Sequence, residues 1–340
     1  MSMKLKIIKN FKFEGTKLID KSFKYSPAAA KNMIAHGENE IVFFSSEIED
    51  TGCGLVWIKE DTFRYISSPE AKDERDIWKE PVILSCNEGV MLLCPATKKL
   101  WMLTDINAEW KEIEVEDWPV NVIPMKIAVC GENGRFPIVC RCGNSLEATN
   151  SFAILSVDFA SKKAQWLADA TCVYANESMR QKHLDAIERA DGKFDKVDFN
   201  YQPPMIGSIM EKEGKIYGFL EGNIINPAGM GVIGYYWFLE ISKTGIFIEK
   251  IWGRDNLSRL KGKHGVRGKI SGDRKWLIIS PIFKTDEWKG KQKLIKIEDN
   301  EVIDFTMPRG CSSYRLIDIW GNHAFICDGN EGLAICNLES

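Results

Sequence analysis

The sequence predicts an all-β fold assembled from one four-stranded unit repeated around an axis. Three observations predict it. Helical periodicity is scarce along the 340 residues. A short apolar strand, a Gly/Asn/Glu turn and a second apolar strand recur together, as a repeated supersecondary unit does. Finally, the strands counted along the chain fall one short of whole units at the C-terminal end, and one strand without a unit stands at the N-terminal end.

The first strand and its turn read "AAKNMIAHGEN" (29–39), "PVILSCNEG" (81–89), "MKIAVCGENG" (125–134), "PMIGSIMEKEG" (204–214), "VRGKISGD" (266–273) and "YRLIDIWGN" (314–322). Second strands follow at once: "EIVFFSS", "VMLLCPA", "FPIVCRCG", "KIYGFLEG", "KWLIISPIF" and "HAFICDG". Third strands come after a loop: "GLVWIKE", "KLWMLTD", "SFAILSVDF", "YYWFLEIS", "KLIKIED" and "GLAICNL". Fourth strands follow a short turn in five units only: "DTFRYIS", "EWKEIEV", "AQWLAD", "GIFIEKIW" and "EVIDFTM". "KLKIIKN" (4–10) is the strand without a unit. It is expected beside residues 332–338, where it would complete the last sheet and cover two edges that otherwise invite aggregation.

Four-stranded units repeated radially resemble the β-propeller superfamily over nearly the whole chain. The resemblance implies one domain, 1–340, with six blades closed by the N-terminal strand and one helical insertion near 170–203. No particular propeller family is matched. The Trp-Asp dipeptide of WD40 repeats and the double glycine of kelch repeats are absent. "SGDRKW" (271–276) is faintly similar to a sialidase Asp-box, but it stands between first and second strands and is read as a turn.

Composition narrows the function. The formal net charge is −3, so no basic excess points to nucleic acid. "MSMKLKIIKNFKFEG" has lysines among its apolar residues, unlike the core of a signal peptide. The most apolar window, 223–242, is broken by Asn226, Pro227 and glycines, so no membrane span is expected. A cytoplasmic monomer without cofactor or metal is the expectation. The ten cysteines (53, 86, 94, 130, 140, 142, 172, 311, 327 and 336) lie mostly in apolar runs and are expected reduced and buried. Cys140 and Cys142 share a strand face by alternation, but no further ligand stands at metal-binding spacing.

Loop lengths point to a working face. First-to-second and third-to-fourth connections read as tight turns, whereas second-to-third and blade-to-blade connections read as long and share one side of the disc. That side would gather 45–54, 67–80, 143–151, 170–203, 221–234, 253–265 and 281–292. Long loops on a rigid scaffold commonly carry binding. Within 170–203, Asn176 suits an N-cap, Met179, Leu184 and Ile187 form a partial apolar stripe, and Asp191-Gly192 is a stop signal. The helix reads first as a lid on the disc and second as the wall of a ligand site.

The most basic stretch, "GRDNLSRLKGKHGVRGK" (253–269), carries Arg254, Arg259, Lys261, Lys263, His264, Arg267 and Lys269. It reads as a solvated loop that balances acidic neighbours, or as a site for an anion. Trp78 and Trp118, each just before an inner strand, read as structural plugs; Trp288, among charges, suits a contact with a partner. His36 and His323 fall at tight turns, leaving His183 and His264 on the loop face. No nucleophile elbow, zinc-protease, P-loop or dinucleotide motif occurs in a fitting context. The leading expectation is therefore a non-catalytic protein- or peptide-binding scaffold using Arg254, Arg259, Lys263, His264, Trp288 and His183. The second is an enzyme acting on a small anionic or carbohydrate substrate at the channel mouth, with Arg254, His264 and a loop carboxylate.

Overall fold

The structure, a computed structural model, describes residues 2–12, 33–48, 52–70, 81–86, 88–94, 97–118, 122–124, 129–131, 134–142, 152–169, 205–225, 231–241, 247–254, 266–281, 292–299, 301–311, 314–327 and 332–339. Among them are 25 strands and no helix. β1 (Ser2–Lys12) is followed by β2 (Met33–Gly37), β3 (Glu40–Ile48), β4 (Gly52–Lys59) and β5 (Thr62–Ser67). Next come β6 (Val82–Cys86), β7 (Gly89–Cys94), β8 (Lys99–Leu103) and β9 (Lys111–Glu114). Then follow β10 (Val122–Pro124), β11 (Val129–Cys130), β12 (Arg135–Cys142), β13 (Phe152–Asp158) and β14 (Lys163–Asp169). β15 (Met205–Lys212), β16 (Lys215–Ile225), β17 (Gly231–Ile241) and β18 (Phe247–Arg254) precede β19 (Val266–Ile270), β20 (Trp276–Pro281), β21 (Lys293–Lys296) and β22 (Val302–Thr306). β23 (Arg315–Trp320), β24 (His323–Cys327) and β25 (Gly332–Glu339) end the series.

The fold is all-β and propeller-like. Antiparallel runs β2–β5, β6–β9, β12–β14, β15–β18, β19–β22 and β23–β25 make up its sheets, and β10 adds to β12. β1 lies between β25 and β22, antiparallel to the first (Lys4 opposite Glu339, Lys12 opposite Gly332) and parallel to the second. The expected partnership of the two end strands is therefore present. Leu5 is buried in this position, with Met3 and Ile7 packed beside it, while Lys4 and Lys6 point to solvent.

Most sheets bury both faces, which is why their strands read as continuous apolar runs rather than clean alternations. In β3, Val42 and Phe44 pack with Leu55, Trp57, Ile83 and Leu92, toward β6–β8. The intervening Ile41 and Phe43 pack with Val56, Ile58, Phe325 and Ile335, toward β23–β25. A third cluster joins β20–β22 to β23–β25 and β1, and a large fourth joins β6–β9 to β12–β17 and β19–β21. Trp118, 7% exposed, is part of that fourth cluster, as its reading as a plug anticipates.

Three expectations are corrected. The segments 45–54 and 221–234 are mostly strand rather than loop. β3 and β4 run to Ile48 and from Gly52, and β16 and β17 run to Ile225 and from Gly231, with cross-strand pairing through Gly222 and Gly234. Glycine does not interrupt a ladder whose backbone groups stay paired. The third first strand is also split: β10 pairs with β12, whereas Val129 and Cys130 pair in parallel with β6, and Cys130 with Met210 of β15. The connection from β8 to β9, moreover, is longer than a tight turn and buries Ile106. The helix expected within 170–203 lies outside the described residues. Cys86, Cys94, Cys311, Cys327 and Cys336 are buried and stand in no disulfide.

Candidate functional site

Where the inner strands β2, β6, β11, β15, β19 and β23 come together, polar side chains interrupt the apolar core. β23 reads Arg315-Leu316-Ile317-Asp318-Ile319-Trp320, and Asp318 is fully buried. A buried carboxylate is tolerated only when its oxygens are satisfied. Oδ2 accepts from the Ala35 amide of β2 at 2.8 Å and from Lys269 Nζ of β19 at 2.9 Å. Oδ1 accepts from the amides of Gly272 at 2.9 Å and Ile319 at 2.7 Å. Burial pushes the Asp318 pKa up, and the Lys269 charge and the amides pull against it. Lys269 Nζ also donates to the Ile317 carbonyl at 3.1 Å and to the Met33 carbonyl.

Further bonds tie other inner strands. Ser208 Oγ of β15 accepts from the Ile270 amide at 2.9 Å. His36 Nδ1 and Ser85 Oγ are 2.8 Å apart, joining β2 to β6. Burial, with the Lys59 charge adding to it, lowers the His36 pKa to about 4, so the ring is neutral at physiological pH. The Gly131 amide donates to the Ser85 carbonyl at 3.2 Å. Arg274 Nη1, from the turn after β19, donates to the Gly131 carbonyl at 2.7 Å. That turn is the "SGDRKW" segment. Ser271 Oγ donates to Asp273 Oδ1 at 2.6 Å and accepts from the Trp276 amide at 2.9 Å. The Gly321 amide donates to Asp273 Oδ2 at 2.9 Å. It is a turn, as its position in the repeat implies, and it knits the turn end of the inner strands together.

A second group lies beside His36. Trp57 Nε1 donates to Glu40 Oε1 at 2.6 Å, Lys59 Nζ stands 3.2 Å from Asp105 Oδ2, and the His36 ring meets Trp57 edge-on at 5.6 Å between centroids. Burial raises the Glu40 pKa, with Trp57 and Lys59 opposing. His323 Nδ1 donates to the Glu38 carbonyl at 2.7 Å. These groups hold turns and seams in place.

Of the residues singled out in the sequence, Arg254 is the last residue of β18, opposite Tyr236 and on the outermost strand of its sheet. Arg259, Lys263, His264, Trp288, His183 and Trp78 lie outside the described residues. Lys269, counted in the basic stretch, does not belong with a solvated loop: it is 15% exposed and bound to Asp318. Asp318, Gln292 and Ser208 escaped the sequence reading. The signal available was a polar residue inside an apolar run, "LIDI", which must find a partner once buried. Among the described residues no three His, Cys, Asp or Glu side chains gather as metal ligands.

No protein-family model matches the chain, and no curated protein matches it. Solved structures do. A xyloglucanase from Xanthomonas campestris is similar at 11% identity over 95% of this chain, with a TM-score of 0.44; the chain spans 47% of that protein. A putative gluconolactonase is similar at 10% identity, covering 99% of this chain and 93% of its own, with a TM-score of 0.44. An oligogalacturonate lyase in complex with manganese is similar at 7% identity over 100% and 97%, with a TM-score of 0.45. All three TM-scores are below 0.5 and no specific family is assigned; the propeller-like description rests on the strand topology.

The leading functional expectation is corrected here. The non-catalytic protein- or peptide-binding scaffold is not carried forward: the similar structures bear the names of enzymes, the second of the two expected readings. Among the described residues, the exposed large apolar side chains are Ile8 and Val302.

Proposed function

We propose that the chain is a six-bladed β-propeller, closed by β1, and an enzyme acting on a small anionic or carbohydrate substrate at the mouth of its axis. Closure is supported by the core that β2–β4 share with β23–β25 and by the place of β1 between β25 and β22. The observation that carries the functional reading is the hydrogen-bonded tying of the inner strands at their turn end. There Arg274 reaches Gly131, and Asp318 takes amides from Ala35 and Gly272. In this reading the tied end closes the axis and the opposite end is the approach, and a blind mouth suits a small molecule better than a protein surface.

In this reading the loop face supplies the chemistry. Arg254, on the outermost strand, leads into the basic loop, whose Arg259 and Lys263 are the candidates to bind the anionic group; His264 and a loop carboxylate are the candidates to transfer protons, with His183 and Trp288 as further candidates for substrate contact. The test is incubation of the protein with a library of small carboxylated and phosphorylated sugars, followed by mass spectrometry. Consumption of one compound class by the native protein and its loss in the Arg254→Ala/Arg259→Ala/His264→Ala variant is the expected result. No consumption of any member, or equal turnover by the variant, overturns it.

A further inference from the structure

We propose that the Lys269 ammonium fills an oxygen cage between inner strands that is a site for a hard cation, and that removing this side chain turns the protein into a cation binder. The cage has three oxygens from two strands. Asp318 Oδ2 stands 2.9 Å from Nζ and the Ile317 carbonyl 3.1 Å, both from β23, and the Met33 carbonyl of β2 completes the set. One carboxylate and two backbone carbonyls are the donor types that oxygen-seeking cations such as calcium take, with water filling the remaining positions. An ammonium has three N–H donors, and here each meets one of the three oxygens.

The cage does not depend on Lys269 for its shape. Asp318 is held by three backbone amides, those of Ala35, Gly272 and Ile319. Met33 is fixed by its ladder, opposite Phe43 in β3, and Ile317 is the bulged residue held between Leu316 and Asp318, which pair with Ile326 and Phe325 of β24. Withdrawing the ammonium therefore leaves a preformed anionic cage in which the buried carboxylate lacks a counter-charge. Such a charge is costly unless it is paired. A lysine tethered to β19 supplies that pairing with no dependence on metal supply.

The test compares Lys269→Ala, Lys269→Met and native protein in melting experiments with chelator, then with calcium and with potassium titrated separately. Alanine frees the cage and leaves room for a hydrated ion, whereas methionine refills the space with an apolar chain. For Lys269→Ala the expected result is a saturable rise of about 5 °C once the ion is well above its dissociation constant. Native protein and Lys269→Met should show no such rise, and Asp318→Asn added to Lys269→Ala should abolish it. If Lys269→Ala is soluble only with added ion, the readout becomes the yield on refolding with calcium against chelator. Equal yields, an absent shift, or the same shift in native protein or Lys269→Met overturns the proposal.

Discussion

Gln292 pairs with Leu316 as a neighbouring strand would. Its Oε1 accepts from the Leu316 amide at 2.7 Å and its Nε2 donates to the Leu316 carbonyl at 3.2 Å, so one side chain satisfies both backbone groups across the seam between β21 and β23. Nε2 also donates to Ser280 Oγ. Gln292 is buried, and Gln292→Ala would strand both groups away from water. A loss of about 2–3 kcal/mol in urea unfolding is expected, with an unchanged slope. Gln292→Glu should do no better, because a carboxylate cannot donate to the carbonyl.

His36 imposes a pH dependence. Its folded pKa of about 4 lies below the unfolded value of 6.5. Between the two, the unfolded chain binds more protons, so stability falls as pH drops through that window, by roughly 3 kcal/mol across it. Neighbouring carboxylates such as Glu40, whose pKa is raised by burial, act in the opposite sense. The measurement is therefore a difference: native protein against His36→Gln, unfolded at pH 7 and at pH 4.5. The variant should lose less stability on acidification. Equal losses would remove His36 from the account.

Gly268 marks a close approach. A Cβ at this position would overlap the ring of Phe219, which is fully buried. Gly268→Ala should cost about 2–3 kcal/mol, the price of overpacking a rigid seam. Phe219→Leu in the same chain should recover part of it, giving a coupling term in a double-mutant cycle. Strict additivity would show that the strain lies elsewhere.

Removal of residues 1–10 strips β1 from β25 and β22 and leaves β25 with an open apolar edge. Aggregation or a large drop in melting temperature is expected. A truncated protein that remains monodisperse by light scattering and melts normally would show that β1 adds nothing to cohesion.

Thiol chemistry offers a further check. Burial pushes both Cys86 and Cys336 up to about 12, so neither should react with a disulfide reagent at pH 8 until the protein unfolds. After denaturation all ten cysteines should titrate. Rapid modification of either residue in the native protein would contradict the packing.

Strand succession was legible because turns punctuate it: "HGENE", "CNEG" and "GNH" all stand where β2–β3, β6–β7 and β23–β24 reverse. The pairing of "KLKIIKN" with the last strand followed from counting. What stayed hidden depends on distance in space rather than order in sequence. Lys269 looked like the end of a basic loop, yet its partner is 49 residues away. Ser85 and His36 carry no motif, and their bond exists only because β2 and β6 converge. Gly222 and Gly234 looked like breaks because composition does not reveal whether a backbone group has a ladder to join.

A sheet buried on both faces has an ambiguous address. When Ile41 and Phe43 face one neighbour and Val42 and Phe44 face the other, sliding β3 by one residue exchanges apolar for apolar, and hydrophobicity alone scarcely objects. Alignment must then be enforced by groups that tolerate no substitute position. Asp318, Gln292 and Ser208 act as such alignment pins: a slip of one residue in β23, β21 or β15 would carry each away from the amides it serves. The polar minority of this core thus rejects wrong assemblies that its apolar majority would accept.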